Sequence, residues 1–105
     1  MLLTVVDIHG RMILTDIDCF HKDQISIGRR SDSDIVIGEA IVSRRHASLY
    51  KNNGSWYICD LGSTNGLYHN NTQFNILKIE ENTLVTIQRS VGDREVVRLK
   101  FTRVQ

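Results

Sequence analysis

Residues 47–60 read Ala47-Ser48-Leu49-Tyr50-Lys51-Asn52-Asn53-Gly54-Ser55-Trp56-Tyr57-Ile58-Cys59-Asp60, two alternating runs on either side of an Asn-Gly pair. Asn-Gly at a two-residue turn supplies the positive φ angles that a tight hairpin needs, so this stretch predicts two antiparallel strands. Similar short runs recur outward from it: Leu2 to Ile8, Met12 to Ile17, Gln24 to Ile27, Ile35 to Ile37, Leu67 to His69, Leu84 to Gln88 and Glu95 to Arg103, with the central hairpin read as His46 to Lys51 and Trp56 to Asp60. Nine Val, twelve Ile and seven Thr stand against two Ala. Side chains branched at Cβ favour pleated strands over helices, so the chain reads as all-β, with nine or more strands packed as a sandwich. Proline is absent, and the turns fall instead to Gly, Asn and Asp, which reach left-handed backbone angles at low cost. His9-Gly10-Arg11 and Gly92-Asp93-Arg94 read as two further hairpin turns, the second joining the final strands. A weak helical turn is expected near Asn75 to Glu81.

The 105 residues suffice for one core, and without a linker or repeat the expectation is a single domain over 1–105. Thirteen Lys and Arg against twelve Asp and Glu leave a net charge of +1, so no global field draws the chain to nucleic acid or an anionic membrane. Seven aromatic residues, several at core-like positions such as Trp56, offer little for stacking bases. Apolar runs fall far short of the roughly 18 residues that span a bilayer. Cys19 and Cys59 lie without metal-ligand spacing to His9, His21, His46 or His69, so both are read as core residues, and neither a metal nor a cofactor is expected. With no secretory leader before Thr4, a reduced, cytoplasmic setting is expected.

Residues 28–46 and 60–66 stand apart, because they carry polar side chains in irregular runs that propensity does not require. Loops at one end of a sandwich are where this architecture builds a binding surface. Gly28-Arg29-Arg30-Ser31-Asp32 leaves the strand at Ile25 to Ile27, so an arginine there is held by the sheet and presents its planar fork at low entropic cost. Ser43-Arg44-Arg45-His46 adds a hydroxyl, a neighbouring backbone N–H and a guanidinium, the makings of a small anion cradle. In Asp60-Leu61-Gly62-Ser63-Thr64-Asn65-Gly66, the Asn65 amide both donates and accepts, which suits the main chain of an extended peptide. Ser43, His46 and Asp60 could be set out as nucleophile, base and orienter. The chain lacks a G-x-S-x-G elbow, no convincing helix follows the 62–66 loop, and little room remains for a substrate cleft, so no enzyme is expected.

Taken in order, Gly28-Arg29, Ser33-Asp34-Ile35, Val42-Ser43-Arg44-Arg45-His46-Ala47, Trp56-Tyr57-Ile58 and Asp60 to Gly66 resemble the forkhead-associated (FHA) domain family, over a window from Ile27 to about Asn70. The resemblance implies a sandwich of about eleven mostly antiparallel strands, of the type shared with SMAD domains, whose loops at one end bind phosphothreonine peptides. It implies that Arg29 contacts a phosphate oxygen, Ser43 donates a hydroxyl hydrogen bond to it, and Arg44 adds charge. Thr64 and Asn65 would hold the loop and the ligand backbone, with Gly28, His46 and Gly66 as structural support. Arg30 and Arg45 would deepen the positive field. The implied preference for threonine over serine rests on its γ-methyl filling an apolar notch, worth at most ~1 kcal/mol by area. Specificity would extend to the third residue after the phosphate, where the apolar Ile41 hints at an aliphatic partner. The expected partner is a phosphothreonine-containing protein, a Ser/Thr kinase substrate, in signalling or regulated assembly. A phosphate-independent interaction module on the same fold is the alternative. Where the family usually has a Gly-Asp turn, this chain has Asn82-Thr83, and asparagine tolerates the same left-handed geometry.

Overall fold

Apolar residues recurring every second position give each strand one face to bury, and that alternation is what the computed structural model, which describes residues 1–103, turns into two facing sheets. Eleven strands are present among the described residues: β1 (Leu2–Val6), β2 (Met12–Asp16), β3 (Gln24–Gly28), β4 (Ile35–Val36), β5 (Ala47–Asn52), β6 (Ser55–Asp60), β7 (Leu67–His69), β8 (Thr72–Phe74), β9 (Ile76–Lys78), β10 (Thr83–Ile87) and β11 (Val97–Thr102). One sheet has the order β2-β1-β11-β10-β7-β8 and the other β4-β3-β5-β6-β9. Pairing is antiparallel except between β3 and β4. Leu3, Val5, Val85, Ile87, Leu99 and Phe101 from the first sheet meet Ile25, Ile27, Leu49 and Ile58 from the second, all essentially without solvent contact.

The central hairpin forms as its sequence dictates. Asn52 pairs with Ser55, and Asn53 and Gly54 take φ of 51° and 80°. The turn at Asn82 keeps the left-handed geometry, at φ 64°. Residues 75–81 are not helical. Ile76–Lys78 is instead a strand, because Leu77 pairs with Ile58 in β6 and the sheet supplies hydrogen bonds that a single helical turn could not match. Strand β8 was not anticipated. Its residues, Thr72, Gln73 and Phe74, mix polar and apolar, and it is fixed by the two-residue turn Asn70-Asn71, at φ 51° and 63°, that pairs it with β7. Ile8 and Ile17 fall outside the strands predicted to end on them. The Asp7 carboxylate accepts from the His9 and Arg11 backbone N–H groups and closes the β1–β2 turn early, while Ile17 opens a 3₁₀ turn over Ile17–Phe20. That turn rotates Cys19 to the surface, correcting its assignment to the core. Cys59 is half-buried, on the outer face of β6.

Candidate functional site

Three connections leave the same end of the sandwich: residues 29–34 after β3, 37–46 between β4 and β5, and 61–66 between β6 and β7. Gly28 lets the first two close on each other. A Cβ there would lie 2.1 Å from the Arg44 carbonyl oxygen and 3.2 Å from Ser33 Oγ. Beyond Gly28 the backbones remain paired, Arg29 N–H donating to Ser43 O (3.0 Å) and Arg30 N–H to Arg44 O (3.3 Å). Arg29 and Arg44 are therefore carried on adjacent, mutually bonded segments. Arg29 Nε donates to Val42 O at 3.0 Å, which fixes the guanidinium plane and leaves its terminal nitrogens without a partner among the described residues.

His46 is fully buried and bridges two loops. Its Nδ1 accepts from the Ser43 backbone N–H (3.0 Å), so Nε2 carries the proton and donates to Gly66 O at 2.8 Å. Burial pushes this imidazole below the usual histidine range, outweighing the Gly66 carbonyl and the Asp60 carboxylate, which favour the charged form. The Ser43 N–H is thus occupied within the protein. The Ser43 hydroxyl accepts from Thr64 N–H (3.0 Å), which aims its own hydrogen elsewhere. Neither His46 nitrogen meets the Ser43 hydroxyl, so Ser43, His46 and Asp60 do not form a relay for a nucleophile.

Asn65 Nδ2 donates to Ile41 O at 2.8 Å, tying the 61–66 loop to the 37–46 loop. This leaves the amide with its second N–H and its carbonyl oxygen. Gly66 sits at φ 77° behind it. Three braces escaped the sequence reading. Asp60 accepts from the Gly62 and Ser63 N–H groups and from the Ser63 hydroxyl, while Ser63 Oγ accepts in turn from Gly66 N–H. Asp34 accepts from Ser26 N–H (2.9 Å) and from Lys22 Nζ (2.6 Å), pinning the 29–34 loop to β3. Glu39, buried in the 37–46 loop, has Arg11 and His9 of the β1–β2 turn 3.8 and 3.9 Å away. The Asp-x-x-Ser spacing at 60–63 was a visible sign of the first brace; the other two depend on residues far apart in the chain.

Arg29, Ser43, Arg44, Thr64 and Asn65 all line one open depression, with Ile41, Val42, Arg45 and Gly62. Arg30 does not line it and pairs with Asp32 at 3.0 Å. Arg29, Arg44 and Arg45 have no carboxylate partner among the described residues. Ordered hydroxyl and amide groups beside three uncompensated guanidinium groups suit a small, multiply charged anion on an extended chain.

A family model described as "FHA domain" matches residues 25–88. The chain is 48% identical to the FHA domain-containing protein FhaB of Mycobacterium tuberculosis over 47 residues, which is 45% of this chain and 30% of that protein. It is 47% identical to the glycogen accumulation regulator GarA of Mycolicibacterium smegmatis over 45 residues, 43% of this chain and 28% of that one. Both matches span less than a third of the relative's length. The crystal structure of Rv1747 FHA-1 from Mycobacterium tuberculosis superposes with a TM-score of 0.69 at 26% identity, covering 97% of each chain. The strands flanking residues 25–88 are thus shared with that structure.

Proposed function

The chain belongs to the FHA domain family, and from that premise we propose that residues 1–105 form one non-catalytic module that binds phosphothreonine in an extended peptide. The observation that carries this reading is the depression in which Arg29, Ser43 and Arg44 meet Thr64 and Asn65. Arg29 and Arg44 supply charge to the phosphate, the Ser43 hydroxyl donates to it, and the Asn65 amide orients the peptide main chain. Thr64 acts through its backbone N–H, which turns the Ser43 hydroxyl toward the ligand. Gly28, His46 and Gly66 hold the loops. The partner is a Ser/Thr kinase substrate, and the reading places the encounter in the cytoplasm. Two features support the absence of catalysis: the His46 nitrogens are both committed to backbone groups, and the site is open rather than a closed cleft.

A phosphothreonine peptide library titrated against wild type and Arg29→Ala tests it. Each charge-assisted bond contributes about 1.5–3 kcal/mol, so the variant should bind roughly 10- to 150-fold more weakly. Unphosphorylated peptides should bind neither protein. Wild-type binding should weaken below pH ~6, where the phosphate loses its second charge. Equal binding by the two proteins, or equal binding of the unphosphorylated library, overturns the reading and returns the phosphate-independent alternative.

A further inference from the structure

Each sheet has two free edges, and three of the four are blunt. β4 is two residues long, and β8 and β9 are three, β8 opening on the polar Thr72 and Gln73 and β9 ending on Lys78. Strand β2 differs. It runs five residues, holds neither lysine nor proline, and exposes three consecutive apolar side chains: Met12 at 66%, Ile13 at 45% and Leu14 at 63%. Natural sheets ordinarily protect such an edge with charge, bulges or a cover.

The hairpin register fixes where its free backbone groups point. Asp7 N–H donates to Arg11 O, and Ile17 N–H to Met1 O, so the odd-numbered residues of β2 exchange bonds with β1. Met12, Leu14 and Asp16 turn their N–H and C=O groups outward. Their side chains share the outer face with Val6, Thr4 and Leu2, while Ile13 lies on the core side, opposite Val5, where the second sheet does not reach it.

We propose that β2 is the interface through which two copies of this chain pair, antiparallel, about a two-fold axis normal to the sheet. The edge is complementary to itself. Placing Ile13 opposite Ile13 sets Met12 against Leu14 twice, each pair exchanging two backbone hydrogen bonds and covering apolar side chains with apolar side chains. It also brings Arg11 of one copy beside Thr15 and Asp16 of the other. Arg11 is already compensated by Asp7 at 3.1 Å and Asp18 by the N-terminal ammonium at 2.8 Å, so the backbone bonds and the apolar match, not charge, hold the pair. The neighbouring register, Leu14 opposite Leu14, would set Met12 against Asp16 and forfeit that match. Pairing joins two six-stranded sheets into one continuous sheet. The Arg11 end of β2 touches Glu39 in the 37–46 loop, so the antiparallel arrangement places the two peptide sites at opposite ends, both open.

The contact is short, at the small end of specific interfaces, so association belongs in the range of about 10 µM to 1 mM. Sedimentation equilibrium over that range should show the mass rising from 12.0 kDa toward twice that value. Leu14→Lys, at an exposed position, should remain at 12.0 kDa with an unchanged melting temperature and unchanged phosphopeptide affinity. In the wild type, exchange of the Met12 and Leu14 amides should slow as concentration rises, while the Ile13 amide, already bonded to β1, should not respond. A constant 12.0 kDa throughout, a dimer that survives Leu14→Lys, or concentration-dependent protection elsewhere overturns the proposal. None of these outcomes depends on the peptide-binding reading.

Discussion

At the end of the sandwich away from the candidate site, the β5–β6 and β7–β8 connections are two residues each, Asn53-Gly54 and Asn70-Asn71, and the β9–β10 connection turns on Asn82. All five residues have positive φ. At the site end, the connections 29–34, 37–46 and 61–66 are held by contacts from distant parts of the chain: Ser43 to Thr64, His46 to Gly66, Asn65 to Ile41. The far turns carry their geometry in their own residues. The site loops borrow theirs from one another, so that donors from three loops converge and cannot move independently. A residue at the far end should therefore matter to stability alone, whereas a brace at the site end should matter to stability and binding together.

His46 gives the sharpest test of that contrast. His46→Ala would leave the Ser43 N–H and the Gly66 carbonyl buried without partners, each at about 1–3 kcal/mol, and would open a cavity beside them. Urea unfolding should show a loss of about 3–5 kcal/mol, with phosphopeptide affinity falling even at temperatures where the variant remains folded. A stable variant with intact binding would mean that the loops hold themselves.

Gly28→Ala comes next. The new Cβ would meet the Arg44 carbonyl, a backbone group that cannot rotate away, so the segments bearing Arg29 and Arg44 must separate. Overpacking of this kind costs about 1–3 kcal/mol, and peptide binding should fall at least about tenfold. Gly38→Ala, in the same loop system with open space around it, is the control and should change neither quantity.

Asn53→Ala probes the far end. Alanine in the left-handed region costs about 1 kcal/mol relative to asparagine, so the melting temperature should drop by roughly 4–8 °C while peptide affinity stays at the wild-type value. A change in affinity would show that the two ends communicate through the sheets.

The same division explains what could be read before any coordinates. The Asn53-Gly54 hairpin, the β-rich composition and most strands follow from residues adjacent in sequence, and they were legible. β8 and β9 were not, since three-residue strands of mixed polarity exist only because β7 and β6 offer them partners. At the candidate site, the ordered set of Gly28-Arg29, Ser43-Arg44 and Thr64-Asn65 was visible as three polar loops. The resemblance set these three loops on one ligand, but that the Ser43 N–H is spent on His46 three residues on, and that Arg30 turns to Asp32 in its own loop, were not legible, because each depends on how the loop curls rather than on which residues it holds. Cys19 misled because free cysteine is usually buried, while the 3₁₀ turn, in the mostly polar stretch Asp16 to Asp23, points it outward.

The smallest effect expected is a pH dependence that belongs to the site end. His46 is neutral in the folded protein because burial disfavours its charged form, and the Ser43 N–H bond requires Nδ1 to be free of a proton. In the unfolded chain the same imidazole titrates near its ordinary value of 6.5. As pH falls through that value the unfolded state takes up a proton that the folded state refuses, so the contribution present at neutral pH is lost from about pH 6.5 down to the depressed folded value. The wild-type melting temperature should therefore slope downward from pH 7 toward pH 5. In His46→Gln, whose amide offers an acceptor and a donor without titrating, that part of the slope should vanish although overall stability is lower. An identical slope in both proteins would assign the dependence to other groups and leave His46 as a packing residue alone.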